Sequence, residues 1–400
     1  MITANNLQLA MALNKGYCTT SLTEVDRQEI YQCFKNQYAD PYELQSRVGS
    51  TILNLKPPIV VLMSGGVDST FMLTMALKCF RAIDILCVSI GYADPAYDES
   101  AVAKKICSEL GVNHKTYFVG HTAVDEMLYK TNEDTYKDLF FSSSLVPTYF
   151  AMKYAAMESD QILTGDGGDE LFCGYDRYLV YKYLRGIPTA IAKFAKNTRR
   201  GDKLKNFSLN GYESLVEVFT KPEARKMTAI AIPETADNYG TKYILVDNIP
   251  NVLNMNFEYV GLPSLNKCMF FDIMTELFGL ETKKVDTAVR MAGSPTAVSP
   301  FLDMDVLKYC CKLPIEYKYR TFMRKWLLRE MINKELPSYN ELNKAKKGFA
   351  FPLLTNLTIR TWADKNDWEL TDSNSQKIWA MFMLDHLKNN GLLQLKETFA

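Results

Sequence analysis

The sequence predicts an α/β protein whose first half holds a parallel sheet and whose second half is mainly helical. From residue 59 onward, short apolar and β-branched runs alternate with longer segments of helical spacing, a rhythm typical of a parallel sheet. After about residue 178 the strand patterns become sparse and helical spacing takes over, apart from a possible extended segment at 243–246. We therefore expect a helical extension over residues 1–55, an α/β domain over 56–200 and a mainly helical region over 201–400.

The individual elements follow from local patterns. Residues 22–31 have the apolar spacing of an amphipathic helix, and Thr23 is a plausible N-cap because its hydroxyl can accept a hydrogen bond from the first turn. The segment 59–63 is a continuous apolar run, as expected of a buried strand. The other predicted strands are 83–90, 115–119 and 161–164, and the predicted helices between them are 69–82, 99–110 and 146–157.

Composition and charge exclude several classes of protein. Of the 400 residues, 47% are hydrophobic and 12% aromatic, as in folded globular chains. Basic and acidic side chains balance at 46 each, so no global field attracts nucleic acid, which is an unlikely partner on this ground. No apolar run approaches the roughly 18 residues of a membrane span, so we expect no membrane partner. Nine scattered cysteines form neither a disulfide framework nor a zinc pattern, and no leader segment is recognisable, so we expect a cytoplasmic protein.

The most informative segment is Ser64-Gly65-Gly66-Val67-Asp68-Ser69-Thr70, which follows the first predicted strand. A strand that turns through paired glycines into a helix directs free backbone N–H groups and the positive end of the helix at an anion. The hydroxyls of Ser64, Ser69 and Thr70 add donors, whereas Asp68 is compatible with a phosphate only if a cation lies between them. The segment therefore predicts a nucleotide with Mg²⁺. The common nucleotide loop is excluded because its Gly-Lys-Ser/Thr ending is missing.

A second glycine-rich turn, over residues 163–175, contains three carboxylates and four glycines. We call this segment the acidic turn. It does not have the spacing of ligands that a calcium-binding loop requires, and the remaining alternative to a ligand site is a flexible turn that is merely acidic. Ligands of parallel sheets bind beyond the carboxyl ends of the strands, where both glycine-rich turns are expected. Asp68 and Asp169 are thus predicted to converge on one Mg²⁺ that neutralises a triphosphate.

These motifs resemble a known family. The loop at 64–69 is similar to the SGGxDS loop of the PP-loop ATP pyrophosphatases, which cleave ATP between its α- and β-phosphates. Residues 56–355 as a whole resemble the synthetase domain of the asparagine synthetase family, which includes β-lactam synthetases and lasso-peptide cyclases. The further matching motifs are Ser89-Ile90-Gly91-Tyr92, Tyr97-Asp98-Glu99, Ser143-Ser144-Leu145-Val146-Pro147, the acidic turn, Lys284-Val285-Asp286, Ser299-Pro300-Phe301-Leu302-Asp303, Lys325 with Leu328-Arg329, and Lys346-Lys347-Gly348-Phe349.

The resemblance implies roles for particular residues. It places Asp68 and Asp169 on Mg²⁺, Asp166 beside the incoming amine as its positioner or base, Lys346 on the charge that develops during acyl-adenylate chemistry, and Lys325 on a phosphate. The expected nucleotide-binding residues are Leu62, Ser64, Gly65, Gly66, Asp68, Ser69, Thr70, Ile90, Thr164 and Gly165. The implied fold is a PP-loop ATP pyrophosphatase core, and the implied cofactors are ATP and Mg²⁺.

Departures from the family pattern shape the expected function. Position 2 is Ile2, where glutamine-using relatives carry a nucleophilic cysteine, and about 55 residues precede the first strand of the sheet, so we expect no glutaminase. Ammonia would then be free, supplied by a partner protein, or replaced by another amine. Thr296 and Val298 stand where the family has Glu and Arg, and Ser142 replaces an Asp, so aspartate is not assured as the acid.

We expect an ATP-dependent, AMP-forming amide ligase that acts on a small-molecule carboxylate and an amine or ammonia. Formation of an intramolecular amide, such as a lactam or macrocycle, is one alternative. A nucleotide-binding module without turnover is another.

Overall fold

The chain begins with a short strand and two helices. We describe the protein from a computed structural model over residues 1–5, 21–175, 178, 228–233, 241–246, 264–321, 323–342, 351–371 and 375–396. Strand β1 (Ile2–Asn5) is followed by helices α1 (Glu24–Lys35) and α2 (Glu43–Ile52). Thr23 and Asp26 form a capping box at the start of α1, which confirms the predicted N-cap.

The α/β core follows. Its elements are β2 (Ile59–Leu62), α3 (Val67–Cys79), β3 (Ile85–Gly91), α4 (Ser100–Glu109), β4 (Asn113–Phe118), α5 (Ala123–Tyr129), α6 (Leu145–Ala156), β5 (Gln161–Leu163) and α7 (Gly168–Leu171). The predicted strand at 83–90 begins too early: Ile83 lies in a 3₁₀ turn over Ala82–Asp84 with 73% of its surface exposed, so the buried strand begins at Ile85.

The second half is mainly helical within the described ranges, as predicted. Its helices are α8 (Ser264–Asp272), which continues as a π-helix over Ile273–Glu281 and then as α9 (Thr282–Met291), then α10 (Met304–Lys312), α11 (Ile315–Lys318), α12 (Trp326–Glu335), α13 (Tyr339–Leu342), α14 (Leu357–Lys365) and α15 (Ser375–Asn389). The strands are β6 (Thr228–Pro233), β7 (Thr241–Val246), β8 (Thr296–Val298), β9 (Tyr319–Arg320), β10 (Met323–Arg324) and β11 (Leu393–Lys396). The expected extended segment at 243–246 is part of β7, which pairs antiparallel with β6.

The central sheet has five parallel strands in the order β4-β3-β2-β5-β8. This arrangement and the helices that follow it confirm the predicted fold class. The strand order reverses between β2 and β5, since β3 and β4 extend the sheet on one side of β2 while β5 and β8 extend it on the other. The loops that leave β2 and β5 therefore open a crevice between them, which is where open α/β sheets bind ligands.

The core around this crevice is tightly packed. Helix α6 packs along β2, β3 and β5 and against α9, while α3 packs against α2 and α12. Behind the acidic turn, the ring of Phe301 stacks on that of Phe71 with centroids 5.9 Å apart and contacts Phe172 at 5.5 Å. Within the described ranges, no helix combines the length and apolar character needed to cross a membrane.

Candidate active site

The predicted phosphate loop, residues 64–70, joins β2 to α3 and is held by hydrogen bonds to the hydroxyls of Ser64 and Ser69. The backbone N–H of Ser64 donates to Ser69 Oγ at 3.3 Å, the N–H of Gly66 donates to Ser64 Oγ at 3.2 Å, and Ser69 Oγ donates to the Gly66 carbonyl at 3.2 Å. Gly65 has a φ of +74°, which a residue with a side chain rarely adopts. These bonds organise the turn before any ligand arrives, with the N-terminus of α3 facing the crevice.

The acidic turn leaves the neighbouring strand β5. Gly167 has a φ of +96° and is the N-cap of the short helix α7, whose first turn contains Asp169 and Glu170. Ser299 Oγ, at the end of β8, donates to the Asp166 carbonyl at 2.6 Å and ties the turn to the edge of the sheet. The two loops thus project side by side from adjacent strands whose register is Val61 opposite Leu163.

Asp68 and Asp169 converge on one lysine. Lys325 Nζ lies 2.5 Å from Asp68 Oδ2 and 2.5 Å from Asp169 Oδ1, and the lysine side chain is 6% exposed. Burial alone would lower the pKa of Lys325, but the carboxylates of Asp169 and Asp68 outweigh burial and the pKa is raised. The lysine is therefore a fixed positive charge between two fixed negative charges that come from different loops.

Backbone geometry holds Lys325 in place. It precedes α12 in a left-handed conformation with φ of +55°, and its N–H donates to the Phe172 carbonyl at 3.0 Å. A residue other than glycine in this conformation costs about 1–3 kcal/mol, and such residues cluster at functional sites.

Two glycines make room for the charged groups. A Cβ atom on Gly168 would lie 2.2 Å from Asp68 Oδ1, and one on Gly174 would lie 1.7 Å from Asp169 Oδ1 and 2.3 Å from Lys325 Cε. Both distances are far inside van der Waals contact. The glycines of the acidic turn therefore have a steric function: the carboxylates occupy the space that a methyl group would fill.

The two carboxylates fit the oxygen preference of Mg²⁺. This ion is commonly held by one or two carboxylates together with substrate phosphates and waters, and Asp68 and Asp169 supply that number next to a phosphate loop. Among the described residues, no group of three or more His, Cys, Asp or Glu side chains is arranged to hold a metal by itself. The donor set thus suits an ion that arrives with a phosphate ligand.

A second charged group consists of Asp166, Glu281 and Lys284. Thr164 Oγ1 donates to Asp166 Oδ2 at 2.8 Å, and Lys284 Nζ is paired with Glu281 Oε2. Burial raises the pKa of Asp166, opposed by the charge of Lys284 and the Thr164 hydrogen bond. Glu281 stands at the end of the π-helical segment, and Lys284 lies in the first turn of α9.

Glu170 is the third carboxylate of the acidic turn. It is 2% exposed and accepts a hydrogen bond from the Tyr175 hydroxyl. Burial, and then the negative charge of Asp169, raise the pKa of Glu170 well above its ordinary value.

A cavity of about 240 Å³ connects these groups. Its wall includes the apolar side chains of Leu62, Val88, Ile90 and Met152 as well as charged groups. The charged lining residues are Asp68, Glu99, Asp166, Asp169, Glu170, Glu281 and Lys284.

Comparison with known proteins identifies the family. A family model described as asparagine synthase matches residues 53–392. The chain belongs to the asparagine synthase family. Family membership agrees with the resemblance inferred from the motifs.

Over the aligned segments, curated relatives from this family are about a quarter identical to the chain. It is 27% identical over 322 residues to the glutamine-hydrolyzing asparagine synthetase 1 of Bacillus subtilis, with 78% of this chain and 48% of the relative covered. It is 24% identical over 302 residues to a putative glutamine-hydrolyzing asparagine synthetase of Mycobacterium tuberculosis, with 73% and 44% covered. The chain thus spans about half the length of these curated relatives. Among solved structures, the NH3-dependent NAD synthetase of Campylobacter jejuni matches with a TM-score of 0.26 and 16% identity, over 46% of this chain and 90% of that one.

Most residues predicted for the asparagine synthase site lie around the cavity. Those in its wall are Leu62, Ser64, Asp68, Ser69, Ile90, Thr164, Gly165, Asp166 and Asp169. Lys325 is not in the wall, but its ammonium contacts Asp68 and Asp169, which are. Of the described members of the predicted set, Gly65, Gly66 and Thr70 are not in the wall: the glycines shape the turn, and Thr70 is buried behind it. Lys346 lies outside the described residues.

Glu281 and Lys284 are functional candidates that sequence reasoning did not assign. Lys284 belongs to a matching motif, but nothing local to that motif shows which wall it faces. The positions at which the family pattern fails, Thr296 and Val298, lie in β8 opposite Gln161 and Leu163, and neither is in the cavity wall that the structure describes.

Proposed function

We propose that the chain is an ATP-dependent ligase that forms an amide through an acyl-adenylate. The observation that carries this proposal is that Asp68 and Asp169 meet at Lys325 beside the phosphate loop. The two aspartates line the same cavity as Asp166. Membership of the asparagine synthase family supports it. The part of the cavity lined by Leu62 and Ile90 would take adenosine, with the main-chain groups of Leu62, Ile90 and Gly165 as its contacts.

In the first step, an oxygen of the substrate carboxylate attacks the α-phosphorus of ATP. A new oxygen–phosphorus bond forms, the bond from the α-phosphorus to the bridging oxygen breaks, and pyrophosphate leaves with the electron pair. The hydroxyls of Ser64 and Ser69, the N-terminus of α3 and the Lys325 ammonium would stabilise the negative charge that develops. Lys346 would contribute a further positive charge that stabilises the same developing negative charge.

Asp68 and Asp169 would hold Mg²⁺. When bound, this ion supplies charge neutralisation and orientation for the phosphates. Besides stabilising the developing charge, the loop serines fix the turn, and Lys325 limits the repulsion between the two aspartates.

In the second step, an amine nitrogen attacks the carbonyl carbon of the acyl-adenylate. The carbon–nitrogen bond forms, the bond from the carbonyl carbon to the phosphate oxygen breaks, and AMP leaves. The nitrogen gives up a proton, which Asp166 would accept. Ammonia, supplied freely or by a partner protein, or an amine of the same substrate molecule would serve as nucleophile.

Pyrophosphate exchange tests the proposal. The protein is incubated with ATP, MgCl₂, labelled pyrophosphate and a panel of small carboxylic acids, and the label recovered in ATP is counted. We expect exchange that depends on one class of acid, with AMP and pyrophosphate as products once ammonium chloride is added. ADP and phosphate as products would refute the mechanism. ATP binding without exchange for any acid of a broad panel would favour a nucleotide-binding module.

A further inference from the structure

Asp166, Glu281 and Lys284 form a charged group in the wall of the cavity. Lys284 is 5% exposed, and its ammonium is paired with Glu281, three residues earlier on the same helical segment. Lys284 and Asp166 line the same cavity, yet the lysine contacts Glu281 rather than Asp166. The ammonium therefore acts on Asp166 through space and is held in place by a second acid.

Most of the surroundings of Asp166 disfavour the ionised form of its carboxyl group. The other acidic residues that line the same cavity are Asp68, Glu99, Asp169 and Glu170, and from the helical segment Glu281. Negative neighbours and burial both disfavour ionisation, and a protonated carboxyl cannot accept a proton from an amine. In the described wall, Lys284 and the Thr164 hydroxyl are the groups that favour the ionised form.

The directions of the individual effects agree with this geometry. Burial is the largest influence and raises the pKa of Asp166. Lys284 and the hydrogen bond from Thr164 lower it, whereas Glu281 and Asp68 raise it. Lys284 and Glu281 therefore act on Asp166 in opposite directions, although they are paired with each other.

We propose that Lys284 is a positioning residue that keeps Asp166 ready to accept the proton of the attacking amine, and that Glu281 sets the strength of this effect by holding the ammonium. Lys284 itself need not touch the substrate. The inference rests on the proposed function, because Asp166 needs to accept a proton only if an amine attacks an acyl-adenylate.

A titration of the ligand-free full-length protein tests the electrostatic part without any substrate. Aspartate carboxyl carbons are labelled with ¹³C, the Asp166 signal is assigned by its loss in Asp166→Asn, and its chemical shift is followed against pH. Lys284→Met should move the midpoint up by roughly one pH unit, and Glu281→Gln should move it down. Lys284→Arg keeps the charge and should titrate close to wild type.

Lys283→Met is the matched control. Lys283 is adjacent on α9 and similarly buried, at 7% exposed, but it is not in the cavity wall. The control variant should leave the Asp166 midpoint unchanged. A midpoint that does not move in Lys284→Met, or that moves in the same direction in Lys284→Met and Glu281→Gln, would overturn the proposal.

Kinetics with an acid found by pyrophosphate exchange test the chemical part. Ammonium chloride is the amine, and the rate of amide formation is measured against pH beside the rate of exchange. In Lys284→Met we expect the low-pH limb of the plot of amide-formation rate against pH to move to higher pH, by the same shift as the Asp166 midpoint in the titration. The rate of pyrophosphate exchange should stay within about twofold of wild type. Equal losses of exchange and amide formation, with no movement of the limb, would contradict the inference while leaving the ligase proposal standing. An absence of exchange in the wild type would instead refute the ligase proposal.

Discussion

Lys325 is the positive charge that pairs with both aspartates of the site. Its ammonium contacts Asp68 and Asp169, and its backbone adopts a left-handed conformation that costs about 1–3 kcal/mol. The surrounding structure must supply this energy, which it does through the pairing with both aspartates and the hydrogen bond to Phe172.

Replacement of Lys325 by Met should be severe. Lys325→Met leaves two neighbouring carboxylates without their shared counter-charge and removes a donor near the phosphates, so we expect acid-dependent pyrophosphate exchange to fall about 100-fold or more. Exchange is measured well below the melting temperature of the variant, which circular dichroism determines. Lys334→Met, an exposed position on the same helix, is the control. Exchange within twofold of wild type in Lys325→Met would remove this lysine from the mechanism.

Lys318 is a buried lysine outside the site. It is fully buried against the Phe34 ring, 5.1 Å from its centroid, and no described group accepts a hydrogen bond from its ammonium. Burial lowers the pKa of Lys318. Between that lowered value and the ordinary value of 10.5, the unfolded chain binds more protons than the folded chain, so stability should rise with pH in this window.

Lys318→Met should therefore stabilise the protein at neutral pH by about 1–2 kcal/mol, because it replaces a poorly compensated polar group with an apolar one of similar length. Urea unfolding from neutral pH to about pH 10 measures this. The advantage of the variant should shrink as pH rises and Lys318 loses its proton in the unfolded chain as well. Exposed Lys312→Met is the control, and a constant advantage at every pH would contradict the assignment.

At the scale of the elements, the acidic turn and α7 need glycine for the space that a missing Cβ atom leaves, and not for backbone flexibility. Gly174→Ala places a methyl group inside the contact distance of both Asp169 and Lys325. We expect a loss of about 1–3 kcal/mol in the free energy of unfolding, together with weaker ATP binding. Gly120→Ala is the matched control, because its Cβ would meet nothing within 4 Å. Thermal unfolding and calorimetry with ATP compare the two, and an equal effect of both would show that the space beside Asp169 is not limiting.

The elements also show what can be predicted from the sequence. The phosphate loop and the acidic turn were predicted because each is a local pattern of glycine, hydroxyl and carboxylate residues that follows a strand. Strand β8 was not predicted, since three residues of Thr-Ala-Val carry too little pattern, and it forms a strand by pairing with β5. Glu281 could not be assigned to the site from the sequence for two reasons. The π-helical segment that ends at Glu281 changes which face of the helix each residue lies on. The position of Glu281 near Asp166 also depends on packing between distant parts of the chain.

At the scale of the whole molecule, the strand order explains why residues far apart in sequence form one site. The reversal between β2 and β5 places the two loops side by side, so the convergence of Asp68 with Asp169 follows from topology. The division into a helical extension, an α/β domain and a helical region remains a proposal. Residues from the second half, including Glu281, Lys284 and Lys325, nevertheless reach the site built on the sheet.

Ligand binding should stabilise the whole chain. Addition of ATP with MgCl₂ at about 100 times the dissociation constant should add about 2.7 kcal/mol to the free energy of unfolding, read as a rise in melting temperature. The Asp68→Asn/Asp169→Asn double variant should lose the part of this rise that depends on MgCl₂. Asp134→Asn, an exposed carboxylate away from the cavity, is the control. A rise that depends on MgCl₂ equally in all proteins would mean that the two aspartates do not hold the ion.

The pairing of β2 with β5 also has a dynamic consequence. Both loops of the candidate site begin where a ladder of backbone hydrogen bonds ends, and the central pair of that ladder, Val60 and Ile162, is buried. The loops cannot separate unless this ladder opens, which requires disruption of the core of the sheet. Amide hydrogens at these positions should thus exchange with deuterium only on global unfolding, so that the spacing between the two aspartates is as persistent as the fold itself.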